Sequence, residues 1–131
     1  MNYDADVIVV GAGNAAFSAA LSASETQSSV IMLERAPENE AGGNTRFTAG
    51  AIRFAYNGVK DLKALVPDLT TEEIKNTDFG SYTEEAFFDD MGRVTEYRTD
   101  PNLCEVLVKE SKNTLMWMQK LGIRFTPIYG R

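Results

Sequence analysis

The chain has 131 residues, a size suited to one domain. Its 44% hydrophobic and 24% charged residues give an ordinary globular balance. The net charge of −6, without any basic run, argues against nucleic acid as the main partner, because neutralising phosphates needs clustered Lys and Arg. A nucleotide cofactor stays open, since backbone N–H groups can hold a pyrophosphate without any cation.

There is no histidine, so no imidazole base and no His metal ligand can come from these residues, and no metal site is read. Cys104 is the single cysteine, which rules out an internal disulfide and fits a reducing compartment. It lies in the apolar stretch Leu103 to Leu107 and reads as a small buried residue. Asp4 and Asp6 stand where a signal peptide would want basic residues, and the apolar run Val7 to Val10 is too short for one. No stretch reaches the roughly 20 apolar residues of a membrane span. The expectation is a soluble, cytoplasmic protein with no integral membrane segment.

In chain order, Ala5 to Val10, apolar but for Asp6, ends at Gly11 and reads as a buried strand of a parallel sheet. Ala15 to Ser24 has helical character, with Ala16, Ala19, Ala20 and Ala23 forming a small, smooth face. Ser29 to Leu33 is a second apolar strand, completing one βαβ unit. Ala36 to Gly50 reads as loop and Ala51 to Tyr56 as a short extended segment. Asp61 to Val66 predicts a helical turn stopped by Pro67, and Thr70-x-x-Glu73 a capping box for another short helix.

The second half reads as helical. Ser81-x-x-Glu84 predicts a cap for a helix running to about Thr95, with Phe87, Phe88, Met91 and Val94 on one face. Asp100-Pro101 predicts a helix start that continues through Leu103, Val106, Leu107, Leu115, Met118 and Leu121 to a stop at Gly122. Met116, Trp117 and Met118 read as packing residues, and Ile123 to Phe125 as the start of another strand. The fold class expected is therefore α/β: an N-terminal βαβ part of a Rossmann-like domain, then a mainly helical segment.

The chemistry sits in Gly11-Ala12-Gly13-Asn14-Ala15-Ala16, which fits G-x-G-x-x-A. It follows a strand, opens a helix and is followed by a second strand ending in Glu34, 23 residues after Gly11. Gly11 allows the tight turn and Gly13, without a Cβ, the close approach of a pyrophosphate. The N–H groups of the helix start, Asn14 and Ala15 among them, face the diphosphate. The Glu34 carboxylate, with Arg35 beside it, can accept hydrogen bonds from ribose hydroxyls. An acid there disfavours a 2′-phosphate and hence NADP. These features predict an adenine dinucleotide without separating NAD from FAD. The segment Ala41 to Gly50, with Gly42-Gly43 and small polar residues, suits close backbone approach to a bulky flat ligand, or a plain surface turn.

Gly11 to Glu34, followed by Gly42-Gly43-Asn44-Thr45 and Ala49-Gly50, resembles the fumarate reductase/succinate dehydrogenase flavoprotein family. Gly43 to Ala55 is most similar to its tricarballylate dehydrogenase branch, as are Tyr82 to Asp100 and Leu107 to Phe125. The resemblance implies FAD as cofactor. It implies a backbone contact from Ala15 to the diphosphate and a hold on the adenosine ribose by Glu34. Asn44 and Thr45 would contact the diphosphate and ribityl region. Ala49 and Gly50 would stand by the flavin, Gly50 also near the substrate. Relatives that tether the flavin carry a histidine where Asn44 stands, so non-covalent FAD is implied. Ala51 replaces the usual second glycine after Gly50.

Members of this family are several times longer and carry the catalytic and substrate-binding residues in a capping domain. The resemblance therefore implies that residues 1–131 are the N-terminal part of an FAD-binding domain, with catalytic residues elsewhere. Arg53 is the one candidate cation here for a substrate carboxylate, and a structural arginine is the competing reading. The implied activity is oxidation or reduction of a C–C bond in a small polycarboxylate of the tricarballylate, fumarate or succinate type, with an electron-transfer partner. A 3-ketosteroid-dehydrogenase-like or aspartate-oxidase-like enzyme and a non-catalytic nucleotide-binding piece are the alternatives.

Overall fold

A computed structural model describes residues 4–129. The chain is mixed α/β and forms two compact units, divided between Ala51 and Ile52.

The first unit opens with β1 (Val7–Val10), α1 (Asn14–Ser24) and β2 (Val30–Leu33). The strands pair in parallel, Val7 opposite Val30 and Val10 opposite Leu33. Side chains alternate between faces along a strand, so this register sorts them in two sets. Val7, Val9, Val30 and Met32 are half-buried on one face, and α1 packs against both strands. Ile8, Val10, Ile31 and Leu33 are exposed on the other, Val10 to 82%. The expected burial of the whole Ala5–Val10 run is thus corrected: a single helix covers a single face.

The strands are pinned at their entry by a pair of polar residues. The Asp6 carboxylate accepts from the Ser29 amide at 2.8 Å and the Ser29 hydroxyl at 2.7 Å. The hydroxyl bond, then the amide bond, holds the Asp6 carboxyl below the usual carboxylate range. After β2 the expected loop is only partly irregular. It contains two 3₁₀ turns, Glu38–Glu40 and Gly43–Phe47, braced by a hydrogen bond from the Arg46 guanidinium to the Asn39 carbonyl.

The second unit contains α2 (Val59–Leu65), α3 (Thr71–Asn76), α4 (Glu84–Val94) and α5 (Pro101–Lys120). The extended segment before α2 ends in an isolated antiparallel bridge between Tyr56 and Tyr82. The capping box at α3 forms as expected: the Glu73 amide donates to the Thr70 hydroxyl, and the Thr70 amide to the Glu73 carboxylate. The cap of α4 is Thr83 rather than Ser81, its hydroxyl accepting from the Ala86 amide at 3.2 Å. The reason is the bridge: both backbone groups of Tyr82 bond to Tyr56, so helical geometry cannot start before Thr83.

Asp100 caps α5, accepting from the Asn102 amide at 2.9 Å and the Leu103 amide at 3.0 Å, with Pro101 in the first turn. Asp100→Ala is expected to lower the stability of this unit by about 1 kcal/mol, measured as a shift in the urea midpoint. No shift would mean that water caps the helix as well.

The buried face of α5 is Cys104, Val108, Ser111, Leu115 and Met118, while Leu103, Val106 and Leu107 face solvent. Leu115 and Met118 pack with Leu62, Leu65, Val66 and Leu69; Cys104 and Val108 pack with Ala55 and Phe87. One helix therefore serves both clusters. Buried Ser111 is fully used, its hydroxyl accepting from the Ala55 amide at 3.0 Å and donating to the Val108 carbonyl at 2.7 Å. Met116 and Trp117 pack against the core, as expected. Two expectations fail. Val94 is exposed, because the core of α4 ends one turn earlier at Phe87, Phe88 and Met91. Ile123 to Phe125 form no strand: after Gly122, at φ +97°, Phe125 packs against the core instead of pairing.

Candidate functional site

The glycine loop joins β1 to α1. The Gly11 amide donates to the Leu33 carbonyl at 2.7 Å, tying the loop to the end of β2. Gly11 has φ +118°, which L side chains rarely adopt. A Cβ on it would meet the Ala16 methyl at 3.7 Å, so loop and helix are already in contact. Gly13 is different. Its backbone is ordinary and extended, at φ −85° and ψ 179°. A Cβ there would lie 3.3 Å from both the Gly42 carbonyl oxygen and the Thr45 hydroxyl.

The two glycine segments thus meet. Gly42, at φ +105°, turns the chain into the Gly43–Phe47 turn, and the Thr45 hydroxyl reaches the start of α1. There it accepts from the Asn14 amide at 3.0 Å. The helix needs this, because its N-cap Gly13 offers no side chain and its first turn holds no acid.

Glu34 is exposed at the end of β2. Its carboxylate accepts from the Ala36 amide at 2.8 Å. That bond chiefly, with help from the Arg35 and Ala12 amides and the Arg35 charge, keeps its carboxyl below the usual range. It is therefore an ionised acceptor beside the glycine loop. Ala12 was not among the expected site residues; its amide is a backbone group that no side-chain pattern announces. Asn14, Ala15, Arg35, Gly43 and Asn44 are exposed.

Ala49 and Gly50 both take positive φ, +53° and +73°. For Ala49 this costs about 1–2 kcal/mol, and such outliers gather at functional sites. Their bonds are local: the Gly50 amide donates to the Thr48 hydroxyl at 3.3 Å, and the Ala51 amide to the Thr48 carbonyl at 3.0 Å.

Arg53 belongs to the second unit, where its charge is spent. Its guanidinium bonds to Asp90 at 2.5 Å and to the Tyr82 hydroxyl at 3.0 Å, and lies over the Tyr82 ring. Tyr82 donates to Asp90 at 2.8 Å, and Arg93 to the other Asp90 oxygen at 2.7 Å. The structural reading of Arg53 is the one these bonds favour.

The first-unit residues fit a dinucleotide on their own geometry. Without a Cβ, Gly13 lets the Gly42–Thr45 turn close onto the helix start, where the exposed Ala15 lies in the first turn beside the Asn14 amide held by Thr45, and Glu34 offers an anionic acceptor to ribose hydroxyls. None of the helices among the described residues is long and apolar enough to cross a membrane.

Comparison with known proteins gives the group. The family described as "FAD binding domain" matches residues 6–131. The chain is 33% identical over 123 residues to a fumarate reductase (cytochrome) of Shewanella frigidimarina, covering 94% of this chain and 19% of that protein. It is 25% identical to a vinyl phenol reductase of Lactiplantibacillus plantarum, over 92% of this chain and 21% of that protein. It is 27% identical to a urocanate reductase of Eggerthella lenta, over 88% and 16%. The chain thus spans about a fifth of the length of the curated relatives it matches. It belongs to the FAD-binding domain family, among the fumarate reductase/succinate dehydrogenase flavoproteins.

Proposed function

We propose that these residues are the cofactor-gripping N-terminal part of an FAD-dependent oxidoreductase acting on a C–C bond of a small polycarboxylate. The observation that carries the reading is the docking of Gly42 and Thr45 on the Gly13–Asn14 turn, which unites the two glycine segments at a helix start. When bound, FAD would supply the hydride chemistry. The residues here would bind and orient it. Gly13 and Ala15 would take the diphosphate, on a turn shaped by Gly11 and by the Asn14 amide bonded to Thr45, and Glu34 with Arg35 the ribose. Gly42, Gly43, Asn44 and Thr45 would take the diphosphate and ribityl region, and Ala49 and Gly50 the flavin edge and substrate.

Asn44 in place of a histidine supports non-covalent FAD. The fumarate reductase relatives support a small carboxylate substrate, while tricarballylate as the finer assignment and an electron-transfer partner rest on the resemblance of Gly43 to Ala55. The open face of the β1–β2 sheet supports a larger FAD-binding domain; catalytic residues on a further domain rest on the family resemblance alone. The single cysteine supports a cytoplasmic location. A second reading, a substrate that is not a polycarboxylate, is favoured by the vinyl phenol and urocanate reductase relatives.

Titration of the purified chain with FAD, NAD and NADP tests the binding claim. Flavin fluorescence should change saturably with FAD, NADP should bind least, and denaturation should release all the flavin. Flavin left on the denatured protein would sink the non-covalent reading. Absence of binding at high micromolar FAD would sink the site as an autonomous one.

A further inference from the structure

We propose that Thr45 is a positioning residue for the cofactor site: its hydroxyl locks the Gly43–Phe47 turn onto the start of α1 before the cofactor arrives. The proposal rests on the FAD-site reading above for its consequence in binding, and on the ligand-free geometry for the lock itself. Ordinarily a helix start is capped by the side chain of its own N-cap residue. In α1 that residue is Gly13, and a side chain 31 positions beyond Asn14 takes over. The substitute is eased by the missing Cβ of Gly13, since that atom would sit a tight 3.3 Å from the Thr45 hydroxyl.

Thr45 is itself held on a short braced turn. Its carbonyl accepts from the Thr48 hydroxyl at 3.0 Å, and Arg46 bonds to the Asn39 carbonyl. While accepting from the Asn14 amide, the Thr45 hydroxyl keeps its own proton, which it can donate to a phosphate oxygen. One side chain thus serves two purposes: it sets the distance between the two glycine segments and offers a donor where they meet. Ser can do the same; Val, of the same shape, cannot.

Amide exchange across residues 43–47, in the ligand-free chain, reads the lock directly. Thr45→Val should speed exchange about 3- to 10-fold, the loss expected for one hydrogen bond. Asn14→Pro removes the donor instead, and proline suits the first helical position. It should speed exchange by a similar factor, and the double variant should go no further than either single one. Thr45→Ser should behave as the parent. FAD affinity should fall about 3- to 10-fold in Thr45→Val and recover in Thr45→Ser. Multiplying effects of the two single changes, unchanged exchange in Thr45→Val, or a Ser variant that behaves like Val would each overturn the proposal. If the parent chain binds no FAD, the proposed function fails at this site while the exchange data still decide the lock.

Discussion

Gly13→Ala should weaken FAD binding by roughly 5- to 150-fold while leaving β1, α1 and β2 folded. The backbone at Gly13 is extended, at φ −85°, so alanine adopts it without strain. The whole cost comes from the added methyl. It would press on the Gly42 carbonyl and the Thr45 hydroxyl at 3.3 Å, tighter than ordinary contact. Overpacking of this kind costs about 1–3 kcal/mol; a turn displaced to relieve it must be seated again for the cofactor, so binding bears that cost, which at 1.4 kcal/mol per decade gives the stated range. The turn can escape the clash only by moving off the helix start, and the diphosphate would lose its approach as well. Gly11→Ala supplies the contrast. There φ is +118° and the nearest atom lies 3.7 Å away, so the cost is backbone strain of about 1–3 kcal/mol in the fold itself. FAD titration and urea unfolding of both variants separate the cases. Equal losses of stability, or a Gly13→Ala chain that binds FAD as the parent does, would defeat the assignment of separate jobs to the two glycines.

That division of labour shows how far the sequence could be read. The pattern G-x-G-x-x-A with an acid at the end of the second strand was enough to place the loop, the helix start and Glu34, because each follows from local geometry. The meeting of Gly13 with Gly42 and Thr45 was not legible. It joins residues about thirty positions apart, and no local periodicity encodes such a pairing. The Asp6–Ser29 pair escaped for the same reason. Ala12 escaped because its amide serves Glu34 beyond β2, another pairing of residues far apart in sequence. The misplaced cap at Ser81 is a related lesson. By residue type Ser81 is the slightly better cap, yet the Tyr56–Tyr82 bridge leaves the start to Thr83.

The strands show the converse. An apolar run such as Val7 to Val10 predicts burial only if elements exist to cover both faces. Here α1 covers one, and alternation does the rest, leaving Ile8 and Val10 outward with Ile31 and Leu33. Arg53 carried a chemical suggestion against which its neighbours weigh. Asp90 pairs with it and Tyr82 bonds to it, which favours a structural role within the second unit.

Leu115→Ala should be a costly truncation in the second unit, at about 2–5 kcal/mol. Leu115 is 2% exposed and packs in the cluster with Leu62, Leu65, Val66, Leu69 and Met118, the meeting point of α2 with α5. Domains of this size hold only about 5–15 kcal/mol in total, so the variant should unfold at a much lower urea concentration, as read by far-UV circular dichroism. The informative partner is Leu103→Ala on the same helix. By residue type the two leucines are equivalent, and an apolar count along α5 does not distinguish them. Leu103 is 71% exposed, because the packed face runs through Cys104, Val108, Ser111, Leu115 and Met118 and passes it by. Its truncation should cost no more than about 0.5 kcal/mol. Comparable losses at both positions would mean that α5 buries a second face, against the register described here. A neutral Leu115→Ala would mean that the α2–α5 cluster is not the core of this unit.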